Sequence, residues 1–407
     1  MRIAVTGYVS TQAGSVASAN ALLLRGLLDQ GCEITFFSKA SFVDPRPAVG
    51  DHSHFHFVDV DNKGMDRLRA RVARVPVAGL VAGLLDSHTY HGLLVRTITR
   101  YHRSRPFDLV LWLGEYARGR VAGVQSVSFA QGPPGTDARS ILSRFDEIAR
   151  LAGLASAWRW RLLGNFRLSR IGQPPLHFSD HIIVGSQQSR QTLEKNYGVA
   201  GTKINCLPYP IDLEVFRPSA IKPEKEAPLR CLWLGRIIPR KRLDLFLAGA
   251  AAAIQAGVDL QLMIVGGVGF INGYEGLIAS FPYQDRLQWI PYLARTEVPT
   301  LMHAHDVLVQ PSDEENFGSS VAEAQACGLP VIVGATNGNA DYLAAGDIHL
   351  KDDRPESLAG ALMEMAARKE HRTLSDVESS RQCAESHFAV SEISARLAGL
   401  LRSFTRP

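Results

Sequence analysis

Glu315 and Glu323 stand eight positions apart in the segment Asp313-Glu314-Glu315-Asn316-Phe317-Gly318-Ser319-Ser320-Val321-Ala322-Glu323. The apolar run from Asp306 to Gln310 before it reads as a buried strand. Val321 to Cys327 reads as a helix, stopped by Gly328 and Pro330. A helix start after a parallel strand offers free N–H groups to an anion. Ser319, Ser320 and Val321 are the positions that would present them, with a glutamate on either side. Ser320-x-x-Glu323 also fits a capping box, in which the two side chains satisfy each other's backbone donors. Capping leaves Glu315, Phe317 and Gly318 unexplained.

A second group is cationic. Gly235-Arg236 closes the run Cys231–Leu234, and Lys241 follows five residues later in Arg236-Ile237-Ile238-Pro239-Arg240-Lys241-Arg242. Loops at the carboxyl ends of parallel strands are where open α/β sheets bind ligands. An arginine fork and a lysine point charge there suit a diphosphate. Arg240 and Arg242 read as solvated surface.

These groups need a scaffold, and strand and helix patterns alternate from end to end. That grammar argues an α/β fold: two Rossmann-like doubly wound domains facing a cleft. Strands are expected at Ile3–Thr6, Glu33–Ser38, Phe55–Val58, Leu109–Leu113, Gln125–Phe129, Ile182–Val184 and Ile204–Leu207. Gly7 to Ser18 reads as a loop and Ala19 to Asp29 as a helix. Ser186 is placed to cap a helix over Gln188–Tyr197. Five prolines in 208–228 mark a linker between domains 1–207 and 229–387. The second domain should start with the strand Leu229–Leu234. The apolar residues Ile393, Leu397, Leu400, Leu401 and Phe404 fall at helical spacing in the tail.

Composition sets limits. The 407 residues suggest two to three domains, and 46% hydrophobic with 21% charged residues is ordinary for a soluble globular protein. No apolar run is long enough for a membrane span. The chain enters its first strand directly, without a leader pattern. Five scattered cysteines read as reduced thiols, and the expected location is cytoplasmic, with the inner membrane surface left open. Net charge is +4, yet residues 61–171 carry 18 Lys+Arg against 8 Asp+Glu. Such an excess suits an anionic partner, a membrane surface or a solvated face. Trp158-Arg159-Trp160-Arg161 invites an interfacial helix. Placed at 100° per residue, however, the arginines and apolar residues of 157–171 do not separate onto two faces, which favours a solvated, partly buried helix. His52, His54 and His56 alternate on an expected strand and read as an exposed face rather than a metal site.

The Glu315–Glu323 segment and Gly235-Arg236-x4-Lys241 together resemble the signature of family four of the retaining, nucleotide-sugar-dependent glycosyltransferases, which have the GT-B fold. The likeness covers nearly the whole chain, closest in 229–345 and faintest in 40–175. It implies catalytic positions at Arg236, Lys241 and Glu315. It implies a donor site formed by Gly14, Gly235, Gly266, Trp289, Ile290, Phe317, Gly318, Ser319, Ser320, Val321 and Glu323. In that scheme Glu323 holds ribose hydroxyls, Glu315 holds sugar hydroxyls, and Trp289–Ile290 lies beside the base. A buried strand is the equal alternative for Trp289. Gln131 stands where many relatives carry a histidine; it can bind a hydroxyl but not relay a proton. Gln131 and Glu115 are the acceptor-side candidates, Glu115 equally readable as a surface acid. The tail 388–407 is implied to cross back onto the first domain.

The implied activity moves a hexose from a nucleoside-diphosphate sugar, by default a UDP-sugar, to a glycan, lipid-linked or small-molecule acceptor, with retention by front-side displacement. Arg236, Lys241 and the helix start would take the leaving charge, so neither metal nor cofactor is expected, and no nucleic-acid partner. A peripheral membrane contact through the basic first half stays open. The alternatives are a nucleotide-sugar epimerase and an inactive nucleotide-sugar-binding scaffold.

Overall fold

The fold is described from a computed structural model that covers residues 1–10, 15–41, 43–61, 76–169, 171–219 and 227–405, the side chains of 15 and 76–88 excepted. Two parallel sheets organise the chain. The first contains β1 (Arg2–Gly7), β2 (Glu33–Ser38), β3 (Phe55–Asp59), β4 (Leu109–Gly114), β5 (Gln125–Ala130), β6 (His181–Val184) and β7 (Ile204–Cys206), in the order β3-β2-β1-β4-β5-β6-β7. The second contains β8 (Leu229–Leu234), β9 (Leu260–Val265), β10 (Leu287–Ile290), β11 (Val307–Gln310), β12 (Val331–Val333) and β13 (Ile348–His349), in the order β10-β9-β8-β11-β12-β13. Strand order reverses beside β1 in one sheet and β8 in the other, so each sheet has a switch-point crevice at its carboxyl edge.

Local chemistry explains the elements. Central strands such as β11 and β12 are buried along their whole length, as strands covered on both faces must be. Ser186 caps the helix Gln187–Tyr197 by accepting from the Ser189 amide at 3.2 Å. The first helix begins at Ser15, one turn before the expected Ala19. Gly14 and its loop lie outside the described residues. Only His56 of the three alternating histidines belongs to a strand; His52 and His54 fall in the turn before β3.

The two halves share side chains more than a simple linker would allow. Tyr209 stacks on Phe129 with centroids 5.0 Å apart and donates to the Ala130 carbonyl at 3.1 Å. The Ile211 amide donates to the Phe388 carbonyl at 2.9 Å. The early part of 208–228 is therefore clamped in the core. The helices Thr136–Ser143, Phe145–Ala152 and Leu154–Leu168 follow a strand of the first sheet, yet Ile141, Ile148 and Ala157 share a core with β8, β9 and β11. The helix Leu374–Phe388 packs on Ser319–Ala326, and Val390–Phe404 crosses to the helix Ser15–Asp29. Among the described residues no helix is long and apolar enough to cross a membrane.

Leu397 is fully buried where the last helix meets the first domain. Leu397→Ala should cost about 2–5 kcal/mol through the lost transfer term and the cavity left behind. Urea unfolding followed by a first-domain probe checks this; an unchanged midpoint would show that the crossing helix does not brace that domain.

Candidate active site

The carboxyl ends of β8 and β11 place the two chemical groups side by side. Gly266, after β9, makes the closest backbone approach. Its φ is +146°, and a Cβ there would lie 1.8 Å from the Gly235 carbonyl oxygen. A Cβ on Gly235 would lie 3.7 Å from Lys241 Cε, in ordinary contact with the lysine chain. Trp289 Nε1 donates to the Gly266 carbonyl at 2.9 Å, and the Gly266 amide donates to the Ile290 carbonyl at 2.9 Å. Trp289 and Ile290 thus fix the glycine turn.

Asp313, Glu314 and Glu315 each meet cations from elsewhere. Asp313 takes Arg144 at 2.5 Å and Arg242 at 3.3 Å. Glu314, at a φ of 42°, takes Arg139 at 2.5 Å. Glu315 Oε2 accepts from Lys241 Nζ at 2.5 Å and from Arg240 Nη1 at 2.8 Å. Arg240 Nε also donates to Asp137 at 2.9 Å, across the cleft. Burial alone would push the Glu315 carboxyl up, but Arg240 and Lys241, by charge and hydrogen bond, hold it down at about 2. Lys241 is lowered, first by burial and then by neighbouring Arg240 and Arg236, against the pull of Glu315.

Arg240 and Arg242 are not the solvated surface that their spacing suggested. Arg240 is the strut of the site. Arg242 is 6% exposed and paired with Asp244, Asp313 and Asp353. For Arg240 local sequence gave no sign of this, because Asp137 and Glu315 lie on distant segments; for Arg242 the nearby Asp244 was a local signal, and Asp313 and Asp353 were not.

The helix Ser319–Ala326 starts without a side-chain cap. Gly318, at φ +68°, is its N-cap, and a Cβ there would meet Gln310 Oε1 at 2.9 Å. The capping box does not form. Ser320 Oγ accepts from Gln310 Nε2 at 2.6 Å, and Glu323 Oε1 accepts from Arg295 Nη2 at 2.6 Å. The amides of Ser319 and Ser320 make no hydrogen bond among the described residues, so the helix start keeps its donors. Burial raises the Glu323 pKa, opposed by Arg295. Phe317 turns its ring into the core against Phe388 at 5.2 Å, and Val321 is fully buried; both leave only backbone for a ligand.

A cavity of about 380 Å³ opens here, lined by Gln131, Asp137, Arg167, Arg236, Arg240, Glu315 and Asn316 among others. Arg236 is exposed at this cavity and makes no ion pair among the described residues. Asn316 accepts from the Gly185 amide at 3.1 Å and has a buried Nδ2 without a partner. Glu115 is not in this lining; its nearest cation is His91 at 3.9 Å. A larger cavity, about 510 Å³, borders Leu229 and Pro330 at the amino ends of the strands and shares none of these groups. The sequence does contain one Asp-x-Asp triplet, Asp59-Val60-Asp61. It ends the edge strand β3, where Asp59 accepts from the Ala40 amide at 2.9 Å. Among the described residues no cluster of three or more His, Cys, Asp or Glu could hold a metal.

Two facing Rossmann-like sheets with such a site between them define the GT-B class. Residues 217–376 match the family described as glycosyl transferases group 1. The chain is 26% identical over 236 residues to a D-inositol 3-phosphate glycosyltransferase of Kineococcus radiotolerans, which covers 52% of this chain and 54% of that one. It is 30% identical over 165 residues to the uncharacterized glycosyltransferase YqgM of Bacillus subtilis, 40% and 44% of the two chains. It thus spans about half the length of the curated relatives it matches. In fold it is similar to sucrose-phosphate synthase from Thermosynechococcus elongatus, with a TM-score of 0.68 at 19% identity over 99% of each chain. It is also similar to Anabaena HepE in complex with UDP and glucose, with a TM-score of 0.63 at 16% identity over 98% and 99%. Residues 217–376 are thus similar to glycosyl transferases group 1, within a chain that has the GT-B fold.

Two variants probe the strut. Arg240→Ala leaves Asp137 unpaired and Glu315 with one cation, so it should destabilise by about 3 kcal/mol, with Arg240→Lys recovering part of the loss. Equal urea midpoints for wild type and alanine variant would show that the strut bears no load. For Glu315→Gln the sign follows from its depressed pKa. Its ionised form contributes stability above the unfolded value of about 4.3, and that contribution disappears as pH falls through about 2. The wild-type advantage over Glu315→Gln should be constant above about pH 4.3 and shrink on acidification, read from denaturant midpoints along the pH series.

Proposed function

We propose that this chain transfers a hexose from a nucleoside-diphosphate sugar, a UDP-sugar by preference, to a sugar-containing or lipid-linked acceptor, with retention and without a metal. The observation that supports the reading is that Glu315, paired with Lys241 and three residues before the uncapped helix start at Gly318, lines one cavity with Arg236. Departure of a nucleoside diphosphate builds negative charge on phosphate oxygens while the sugar becomes cationic. Fixed donors aimed at that charge are the main catalytic device. Arg236, at the cavity without an ion-pair partner, and Lys241, crowded by other cations, are the groups to receive it.

Glu315, kept ionised by Arg240, accepts hydrogen bonds from sugar hydroxyls and does not serve as an acid near neutral pH. Glu323 lies deeper and meets ribose hydroxyls once it shares or releases Arg295. The bond from the anomeric carbon to the diphosphate oxygen breaks, the acceptor oxygen bonds to the same face, and the acceptor proton passes to the departing phosphate oxygen. Gln131 sits at the cavity to hold a hydroxyl. The preference for UDP is supported by the HepE complex with UDP and glucose.

Thermal shifts against UDP, GDP and ADP test the donor half; at about 100 times Kd a ligand adds about 2.7 kcal/mol to stability. The largest shift is expected with UDP. Lys241→Ala and Glu323→Ala should each abolish transfer, and chelation by EDTA should leave wild-type turnover unchanged. Full turnover in both variants would sink the site assignment, EDTA-sensitive turnover would sink metal independence, and acceptor-free epimerisation would replace transfer by an epimerase.

A further inference from the structure

We propose that the helix Leu154–Leu168 docks the protein on an anionic lipid surface, with the cleft opening toward it. Leu154, Trp158, Leu162 and Phe166 follow one another at i, i+4 and are 61%, 49%, 68% and 49% exposed. Ile171, just beyond the helix, is 86% exposed. The protein-facing side carries Ala157, Gly164 and Trp160, the last packed on Phe270 with ring centroids 5.1 Å apart. Ala157 is buried, and Gly164 meets Leu142 at 3.3 Å by its Cβ position. A solvated helix buries its large side chains and exposes small or polar ones. Here Trp160 packs inward, yet four large apolar side chains stay exposed along the opposite stripe, which marks a surface that expects a partner.

The charge around the stripe selects the partner. Residues 148–179 contain five arginines and no aspartate or glutamate. Arg159, Arg161 and Arg167 are exposed beside the stripe. Arg161 lies over the Trp158 ring at 5.1 Å and the Phe145 ring at 5.2 Å, holding the tryptophan at the surface. Tryptophan and arginine on one exposed apolar face suit the interface of an anionic bilayer, where arginine stems lie along apolar groups and their heads meet phosphates. A second copy of this chain would bring a second set of arginines against the first. The patterning was masked in sequence because the arginines interrupt every helical projection; only the packing of Ala157 and Gly164 shows which side is free.

The stripe also has a direction. Arg167, Gly172 and Pro174 at its carboxyl end line the cleft cavity together with Arg236 and Arg240. This orientation rests on the proposed reading of that cavity as the transfer site, and with it favours a lipid-linked acceptor carrying an anionic head. The docking itself is measured without any reaction.

Co-sedimentation with vesicles of phosphatidylcholine, alone or mixed with phosphatidylglycerol, tests the proposal. The full chain should bind the mixed vesicles in a salt-sensitive manner. The double variant Leu162→Glu, Phe166→Glu should lose at least about tenfold in partitioning, a loss of one decade in affinity. Arg159→Ser with Arg161→Ser should weaken binding to mixed vesicles only. Circular dichroism and the UDP-dependent thermal shift establish that the variants remain folded. Equal binding by wild type and double variant, no binding to either vesicle, or a wild-type dimer that the double variant abolishes would each overturn docking. Vesicle binding without any nucleotide shift in the wild type would leave docking standing and remove the donor reading instead.

Discussion

The structure hangs on one buried carboxylate. Glu315 lies inside the cleft between Lys241 and Arg240, and Arg240 reaches on to Asp137. Taking a carboxylate out of water costs several kcal/mol per ion, and attraction offsets that only with close, hydrogen-bonded partners. Two cations at 2.5 and 2.8 Å meet the requirement, and the carboxyl accordingly titrates low rather than high. Asp313 shows the other outcome: burial is the largest influence and raises its pKa, although Arg144 and Arg242 oppose it. Neighbouring acids on one loop therefore divide: the pKa of Glu315 is pulled down by its two cations, and that of Asp313 is pushed up by burial.

That arrangement makes the donor loop and the first domain interdependent. Asp313, Glu314 and Glu315 are held by Arg144, Arg139 and Arg240, and two of those arginines come from helices that follow β5. Tyr209 and Ile211 clamp the connection nearby. A rigid hinge with a purely local donor site would need no such bridges. Opening the cleft must break several charged contacts at once.

How much of this was legible follows from the range of each interaction. Strand positions and fold class depend on local apolar runs such as Val331–Val333 and on turn residues, so they were readable, whereas strand order came only from the tertiary pairing. Lys241 and Glu315 were readable as members of two motifs, but the 2.5 Å contact between them belongs to tertiary structure. Arg240 was misread because its partners Asp137 and Glu315 lie 103 and 75 positions away, and Arg242 because its nearby partner Asp244 gave no hint of the distant Asp313 that helps to bury it. The capping box failed for a related reason. Gln310 and Arg295 claim Ser320 and Glu323 from outside the helix, and a short motif carries no record of such competitors.

The lost cap has a chemical consequence. Had Ser320 and Glu323 closed on the helix start, they would have consumed backbone donors that an anion needs. Gly318 enters the helix with a left-handed backbone instead, bringing no side chain to cover the end. Gln310 then draws the Ser320 hydroxyl aside, and Arg295 pairs with Glu323 and offsets its charge at the helix start. The same eight-residue spacing that permits a stabilising cap is thus resolved in favour of an open, positively polarised helix end. A carboxylate at each end of the spacing remains, Glu315 matched to Lys241 and Arg240 and Glu323 to Arg295.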